Sequence, residues 1–315
     1  MNQTINFIPT QPLRTAVLFL VFNRLNTTKQ VFDAIRQAKP PRLYVAADGA
    51  RAKKDGEAEK VQIVRDYILK NIDWECEVRT LFQEKNLGCK YAVSGALTWF
   101  FENEEQGIIL EDDCLPVQSF FWFCEELLER YKNDMRIWHI SGDNFQNGIQ
   151  RGEASYYFSK FVHIWGWATW ADRWSSYEVD LKTLESFTAQ NKITALFSEK
   201  KEQQHWLSLF KELSKGKIDT WDYQWFYTVL SNSGLSIMPN KNLISNIGFG
   251  ADATHTKSLD SQHSKIPTSE LSKELQHPLF ILYDVDADMY TKEKMNMIYD
   301  GFVLKFKRFL RTLIK

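Results

Sequence analysis

The sequence predicts an α/β protein in which a mostly parallel sheet is flanked by helices. Three observations carry that expectation. Strand-like and helix-like segments alternate through about the first hundred residues, which is the pattern of βαβ units. The first strand-like run, Thr15–Phe22 (TAVLFLVF), is continuously apolar, as a strand buried on both faces should be. Polar clusters follow three of the strands: Asn23-Arg24, Asp48-Gly49 and Glu111-Asp112-Asp113. Right-handed crossovers place the carboxyl ends of parallel strands on one edge, where ligands bind in such sheets, so these clusters should converge.

After the first strand, Asn26-Thr27-Thr28 offers a helix cap, and Val31, Ile35 and Ala38 recur at helical spacing until Pro40-Pro41. Arg42–Ala47 reads as the second strand and Glu57–Asn71 as an amphipathic helix with Val61, Val64 and Ile68 on one side. Cys76–Phe82 is the third strand, Leu87–Glu102 a helix, and Gly107–Leu110 a short fourth strand. The second half is less regular. Helices are expected over Gln118–Tyr131, around Thr183–Phe197 and Glu199–Leu213, and over Trp221–Ser231; strands are expected at Ile137–Ser141, Ser155–Ser159 and Leu235–Met238. Pro239–Lys265 is long and rich in Gly, Asn, Ser and Thr, the character of a lid or binding loop.

Composition narrows the function classes. Thirty-nine basic residues against 40 acidic ones give a net charge of −1, so no global basic field exists to hold a nucleic acid. The four cysteines form no CxxC pair, which suggests neither a zinc site nor a disulfide framework and makes a reducing cytoplasm the default. The first apolar run, Ala16–Phe22, is too short to span a bilayer and is not preceded by a signal peptide. A soluble protein, or one attached at most to a membrane surface, is expected.

The sharpest chemical signal is Ile108-Ile109-Leu110-Glu111-Asp112-Asp113, a buried strand running into three acids. Adjacent carboxylates repel one another, and hard divalent cations such as Mg²⁺ or Mn²⁺ take one or two carboxylates together with substrate phosphates. A solvated acidic turn is the alternative. Arg24 can pair with phosphate and Asp48 can accept from a base or ribose, against the plainer readings of a surface arginine and an Asp-Gly turn. Lys90, early in its helix, either faces phosphates or is solvent-exposed. Asp222, between Trp221 and Tyr223, is either a general base for an acceptor hydroxyl or a cap for the helix that follows. Asp252 and His255, in the long loop, are either exposed or close over the site, with His255 then touching the metal or a phosphate. Trp165–Trp174 is dense in aromatics, which serve as core more often than as platforms for sugar rings. At the carboxyl end Phe302, Phe306, Phe309, Leu310 and Leu313 share a helical face, with five Lys/Arg nearby. Residues 302–315 therefore read as a basic amphipathic helix that lies on an anionic membrane, or as a helix docked on its own domain or a twin subunit.

These motifs resemble GT-A-fold glycosyltransferases, Rossmann-like in architecture. The likeness is closest to a bacterial group labelled hemolysin-like or nucleotide-diphospho-sugar transferases. The residues that carry it are VFNR (21–24), AADGAR (46–51), NLGCKYAV (86–93), ILEDDCLPVQSFFWFCEELLERY (109–131), ISGDNFQ (140–146), HIWGWATWADRW (163–174), TWDYQWFY (220–227) and NLISNIGFGADATHT (242–256). Their order is also similar to the eukaryotic β-N-acetylglucosaminyltransferases of N-glycan and O-mannosyl-glycan synthesis. The resemblance implies Asp113 as the direct metal ligand, Glu111 and Asp112 near donor sugar and ribose, Arg24 and Asp48 at nucleotide-contacting positions, and Asp222 as catalytic base. It also implies a loop, Asn246–Thr256, that orders over the donor.

The combined expectation is one catalytic domain over residues 1–265, with a donor half of about 15–115 and an acceptor half of about 116–265, and a helical tail over 266–315. The expected activity is inverting transfer of a sugar, GlcNAc or another hexose, from a nucleoside diphosphate, UDP first, to a saccharide or lipid-linked acceptor in cell-surface polysaccharide assembly. Mn²⁺ or Mg²⁺ is the expected cofactor, and Trp165, Trp167 and Trp170 are the expected acceptor wall. The alternatives are a sugar nucleotidyltransferase, whose glycine-rich loop after the first strand is missing here, and a non-catalytic membrane-active protein.

Overall fold

The fold is that of a computed structural model, which describes residues 7–248, 266–271 and 274–293. One eight-stranded sheet organises the chain, in the order β3-β2-β1-β4-β8-β6-β9-β7. Strands β1 (Val17–Val21), β2 (Arg42–Ala47), β3 (Glu77–Phe82) and β4 (Gln106–Glu111) are parallel to one another. Beyond β4, β8 (Trp167–Trp170) runs antiparallel between β4 and β6 (Ile137–Ser141), β9 (Leu235–Pro239) is parallel to β6, and β7 (Tyr156–Ser159) closes the edge antiparallel to β9. The protein is thus α/β and Rossmann-like, with a mostly parallel sheet. A separate two-stranded pair joins β5 (Cys114–Pro116) to β10 (Ile244–Asn246).

The pleat explains the two-sided core. Along β1, Val17, Phe19 and Val21 point to one face, and Ala16, Leu18 and Leu20 to the other. The first face is covered by α1 (Leu25–Ala38), α2 (Glu57–Lys70) and α4 (Ser119–Tyr131), and the second by α3 (Gly88–Phe101) and α9 (Asp222–Ser231). Both faces are buried, which is why β1 could be written wholly in apolar residues. A third cluster forms around α8 (Lys200–Ser214), where Trp206 and Phe210 pack against Phe226 and Tyr227 of α9.

Several expectations shift. Helix α1 begins earlier, at Leu25, and Asn26-Thr27-Thr28 lies inside its first turn; the Thr27 and Thr28 hydroxyls donate back to the Arg24 carbonyl instead of capping amides. The stretch expected as helix around 183–197 is two short helices, Leu184–Ala189 and Ile193–Leu196. The long loop after Pro239 contains β10, whose three residues are too few for periodicity to register. The proposed tail boundary at residue 266 also moves. Leu271 is in the core, and Glu270 accepts from the Gln118 and Ser119 amides at the start of α4. Asp288 accepts from the Ser159 hydroxyl and the Lys160 amide. The described residues to 293 therefore belong to the same body as the sheet. Among the described residues no helix is long and apolar enough to cross a membrane.

Candidate functional site

The carboxyl ends of β1, β2 and β4 meet on one edge, as strand order requires, and bring Arg24, Asp48 and the acidic turn together. Arg24 bridges the turn: its guanidinium pairs with Asp112 and lies 2.9 Å from Asp113 Oδ2. Asn23 beside it turns away and donates to Glu57 at the start of α2, at 2.9 Å. Two buried oxygens of the turn, Glu111 Oε1 and Asp112 Oδ2, have no hydrogen-bond partner among the described residues. Burial is the main reason that the Glu111 carboxyl is pushed well above its ordinary range, helped by the charges of Asp113, Asp112 and Asp222. Burial likewise raises Asp112, with Arg24 pulling the other way.

Strand β10 brings a backbone wall to this corner. Its antiparallel pairing with β5 sets Asn246 opposite Cys114, and the Ile247 amide donates to the Asp113 carbonyl at 2.8 Å. Gly248 then passes so close that an added Cβ would sit 2.1 Å from Asp113 Oδ2 and 2.8 Å from Arg24 Nη1. Only a glycine fits there. The chain continues from this point into 249–265, so Asp252 and His255 lie outside the described residues.

Asp48 is fully engaged. Its Oδ1 accepts from the Gly49 amide at 2.8 Å and the Leu87 amide at 2.9 Å; its Oδ2 accepts from the Gly88 amide at 3.1 Å and Asn86 Nδ2 at 2.8 Å. Asp219, which the sequence reading passed over, accepts from the next two amides, Cys89 at 3.1 Å and Lys90 at 2.8 Å. Two carboxylates from distant segments thus take the first four amides of α3, the donors that a helix leaves unsatisfied and that would otherwise cradle an anion. Gly88 has φ +78°, and a Cβ there would stand 2.8 Å from Asp219. Lys90 is neither exposed nor aimed at open space: it is buried, with its ammonium 2.6 Å from Asp180 Oδ1. This ion pair ties α3 to the loop before the short helix Leu184–Ala189.

Asp222 is the first residue of α9, and its Oδ1 accepts from the Thr220 hydroxyl and, at 2.9 Å, from the Tyr223 amide. The helix therefore begins at Asp222 without a side-chain cap, Trp221 being the residue at its N-cap position. The same carboxylate is near the acidic turn, since its charge helps push up both Glu111 and the Cys89 thiol. Burial first, then the charges of Glu111, Asp222, Asp219 and Asp48, raise Cys89, which places that side chain amid four carboxylates.

The expected aromatic wall is mostly core. Trp167 and Trp170 lie on β8 and are buried, with the Trp170 indole donating to the Leu128 carbonyl. Strand alternation accounts for this: the two rings enter opposite faces of a doubly covered sheet, Trp170 with the first core cluster and Trp167 with the second. Trp165 alone is half-buried, packed edge-on against Phe145 with centroids 5.2 Å apart. The segment around it is anchored by a buried carboxylate that the sequence reading also missed. Asp143 lies 2.5 Å from the Ser141 hydroxyl and accepts from the Trp165 amide at 3.4 Å, and burial pushes its carboxyl up to about 7.

Among the described residues no three His, Cys, Asp or Glu side chains are grouped to hold a metal between them. The arrangement suits a cation that arrives with phosphate ligands: one rim carboxylate, Asp113, beside two buried oxygens that lack donors among the described residues.

No family model matches the sequence, and no curated protein matches it. Solved structures do. HddC from Yersinia pseudotuberculosis is 10% identical, over 52% of this chain and 80% of that one, with a TM-score of 0.32. The glycosyltransferase GlyE of Streptococcus pneumoniae TIGR4 is 13% identical over 64% and 44%, with a TM-score of 0.27. Mouse xyloside xylosyltransferase 1 is 11% identical over 70% and 82%, with a TM-score of 0.36. Likeness of this degree assigns no donor, acceptor or reaction to the chain.

Proposed function

We propose that the protein is a GT-A-type, inverting, metal-dependent glycosyltransferase that uses a nucleoside-diphosphate sugar, with UDP as the nucleotide. The acceptor would be a saccharide or lipid-linked saccharide of cell-surface polysaccharide assembly. The observation that carries the reading is the acidic turn at the end of β4, where two buried carboxylate oxygens lack donors among the described residues and the Gly248 backbone closes on Asp113. Leaving buried acceptors unsatisfied costs about 1–3 kcal/mol each, and more for charged groups.

Asp113, with Asp112 behind it, would hold a divalent cation, and Arg24 would share the charge of the donor diphosphate. When bound, that cation supplies Lewis-acid stabilisation to the departing nucleoside diphosphate. Glu111 would lie near the donor sugar and ribose. Asp222, fixed through its Oδ1, would take the proton of the acceptor hydroxyl as that oxygen bonds the anomeric carbon and the carbon–phosphate-oxygen bond breaks. Attack opposite the leaving group inverts the anomeric centre. General-base catalysis of this kind contributes about 10²–10⁴ in rate.

The test is to incubate the protein with UDP-sugars, Mn²⁺ and saccharide acceptors and identify the released nucleotide product. Free UDP supports transfer; in a parallel incubation with UTP and a sugar 1-phosphate, release of pyrophosphate would instead indicate a nucleotidyltransferase. Asp222→Asn should lose turnover by two orders of magnitude or more while keeping the melting temperature and UDP binding of the parent. If turnover survives Asp222→Asn, this residue is not the base.

A further inference from the structure

The loop that carries the chain from α8 into α9 has little core of its own. Over 215–221 only Trp221 is buried; Ile218 and Thr220 are half-buried and the rest, Asp219 among them, are exposed. Such a segment is free to wander unless something outside it fixes its course. Asp219 supplies that tie. Its carboxylate accepts from the Cys89 amide at 3.1 Å and the Lys90 amide at 2.8 Å, at the start of a helix 130 and 129 residues earlier in the chain. Gly88 makes room for it: with φ +78° and no Cβ, which would otherwise stand 2.8 Å from Asp219 Oδ2, the α3 backbone lets the carboxylate come close.

The tie lies beside the proposed base. Thr220, the next residue, donates its hydroxyl to Asp222 Oδ1, and its carbonyl accepts from Gln224 Nε2 at 2.7 Å. Trp221 is held separately, its ring stacked on Trp167 in the core and its carbonyl accepting from the Tyr177 hydroxyl at 3.0 Å. Trp221 therefore sets where α9 begins, while Thr220 sets how the Asp222 carboxylate is turned, and Thr220 follows from Asp219. The Cys89 thiol, one side chain from the bonded amides, feels the charges of both Glu111 and Asp222, so the amino end of α3 lies beside the acidic turn and the proposed base alike. An exposed hydrogen bond adds little to stability, whereas a small misplacement of a reacting group costs much in rate. The loss of this tie should thus be felt in turnover before it is felt in folding.

We propose that Asp219 is a positioning residue for sugar transfer. By bonding the Cys89 and Lys90 amides it registers the loop before α9 against the donor edge, and through the Thr220 hydroxyl it fixes the orientation of Asp222. The proposal rests on Asp222 being the base.

The test compares kcat, KM and melting temperature for Asp219→Ala, alone and combined with Asp222→Asn, in the full-length protein. Alone, Asp219→Ala should lower kcat about ten- to a hundred-fold and leave the KM for UDP-sugar and the affinity for UDP with Mn²⁺ unchanged. Asp219→Asn, which keeps one acceptor oxygen, should recover part of the loss. In the Asp222→Asn protein the same Asp219→Ala change should cost nothing further, because a positioning residue acts only through the group it positions. Thr220→Val, which removes the linking hydroxyl, should reproduce the loss in kcat and keeps the measurement available if Asp219→Ala unfolds the chain. An unchanged kcat, a loss confined to melting temperature, or an equal fold-loss in the parent and in Asp222→Asn would each overturn the proposal. Turnover that survives Asp222→Asn overturns the base itself, a different result from a protein that needs Asp222 and ignores Asp219.

Discussion

What each carboxylate can do here depends on what its oxygens already accept. Asp48 and Asp219 spend theirs on amides of α3, so they build the site instead of serving a ligand. Glu111 and Asp112 each keep a buried oxygen without a donor among the described residues, and Asp113 stands at the rim beside Arg24. Asp143 is a different case, buried with a hydroxyl and one amide for company. Its folded carboxyl at about 7 lies above the ordinary value near 3.9, so the protonated form is favoured in the fold. Its contribution to stability is complete below the unfolded value and is lost as pH rises toward 7, because the unfolded chain ionises first. Asp143→Asn, which mimics the protonated form, should therefore gain stability on the parent as pH rises from 5 to 8, by about 2 to 3 kcal/mol, read as a rising difference in melting temperature. A difference that stays flat across that range would show that Asp143 does not titrate there.

At the scale of elements, helix α9 shows how the proposed base, Asp222, can be held at a distance from its anchors. Trp221 stacks on Trp167 at 5.6 Å and 20°, and Trp167 stacks on His139 at 5.1 Å and 23°. The Trp225 indole donates to His139 Nδ1 at 3.2 Å, while His139 Nε2 donates to the His163 carbonyl at 2.7 Å. Those two partners fix the imidazole as the neutral Nε2–H tautomer, and burial lowers its pKa to about 3. Trp225→Phe keeps most of the ring volume but strands a buried nitrogen, which should cost about 1–3 kcal/mol. Because Asp222 begins the same helix, kcat should fall more than KM rises, as small misplacement of a catalytic group predicts. Unchanged kinetics with lowered stability would mean the anchor serves the fold alone. These links were only partly legible beforehand. TWDYQWFY announced an aromatic-flanked aspartate, but nothing local to His139 tells that it meets Trp225, which is 86 residues away.

For the whole molecule, the first half was readable because it follows from periodicity and chain order: apolar strands, amphipathic helices, and one edge for their polar ends. In the second half the main helices and strands were readable too, but not their place in the sheet, where parallel and antiparallel neighbours mix out of sequence order, β4-β8-β6-β9-β7. There aromatic density misled, because a sheet covered on both faces absorbs Trp167 and Trp170 that a one-sided sheet would expose. The attachment of 266–293 also escaped notice, since it depends on Glu270 reaching α4 and Asp288 reaching β7 across more than a hundred residues of chain. Gly248 closing on Asp113 depends likewise on the three-residue pairing of β10 with β5. The central claim is that the acidic turn holds a nucleoside diphosphate through a divalent cation, and calorimetric titration of UDP into the full-length protein tests it most directly. UDP should bind with Mn²⁺ present and at least tenfold more weakly without it, and Asp113→Ala should abolish the difference without unfolding the chain. Binding that ignores both Mn²⁺ and Asp113→Ala, or no binding of UDP at all, would contradict the account.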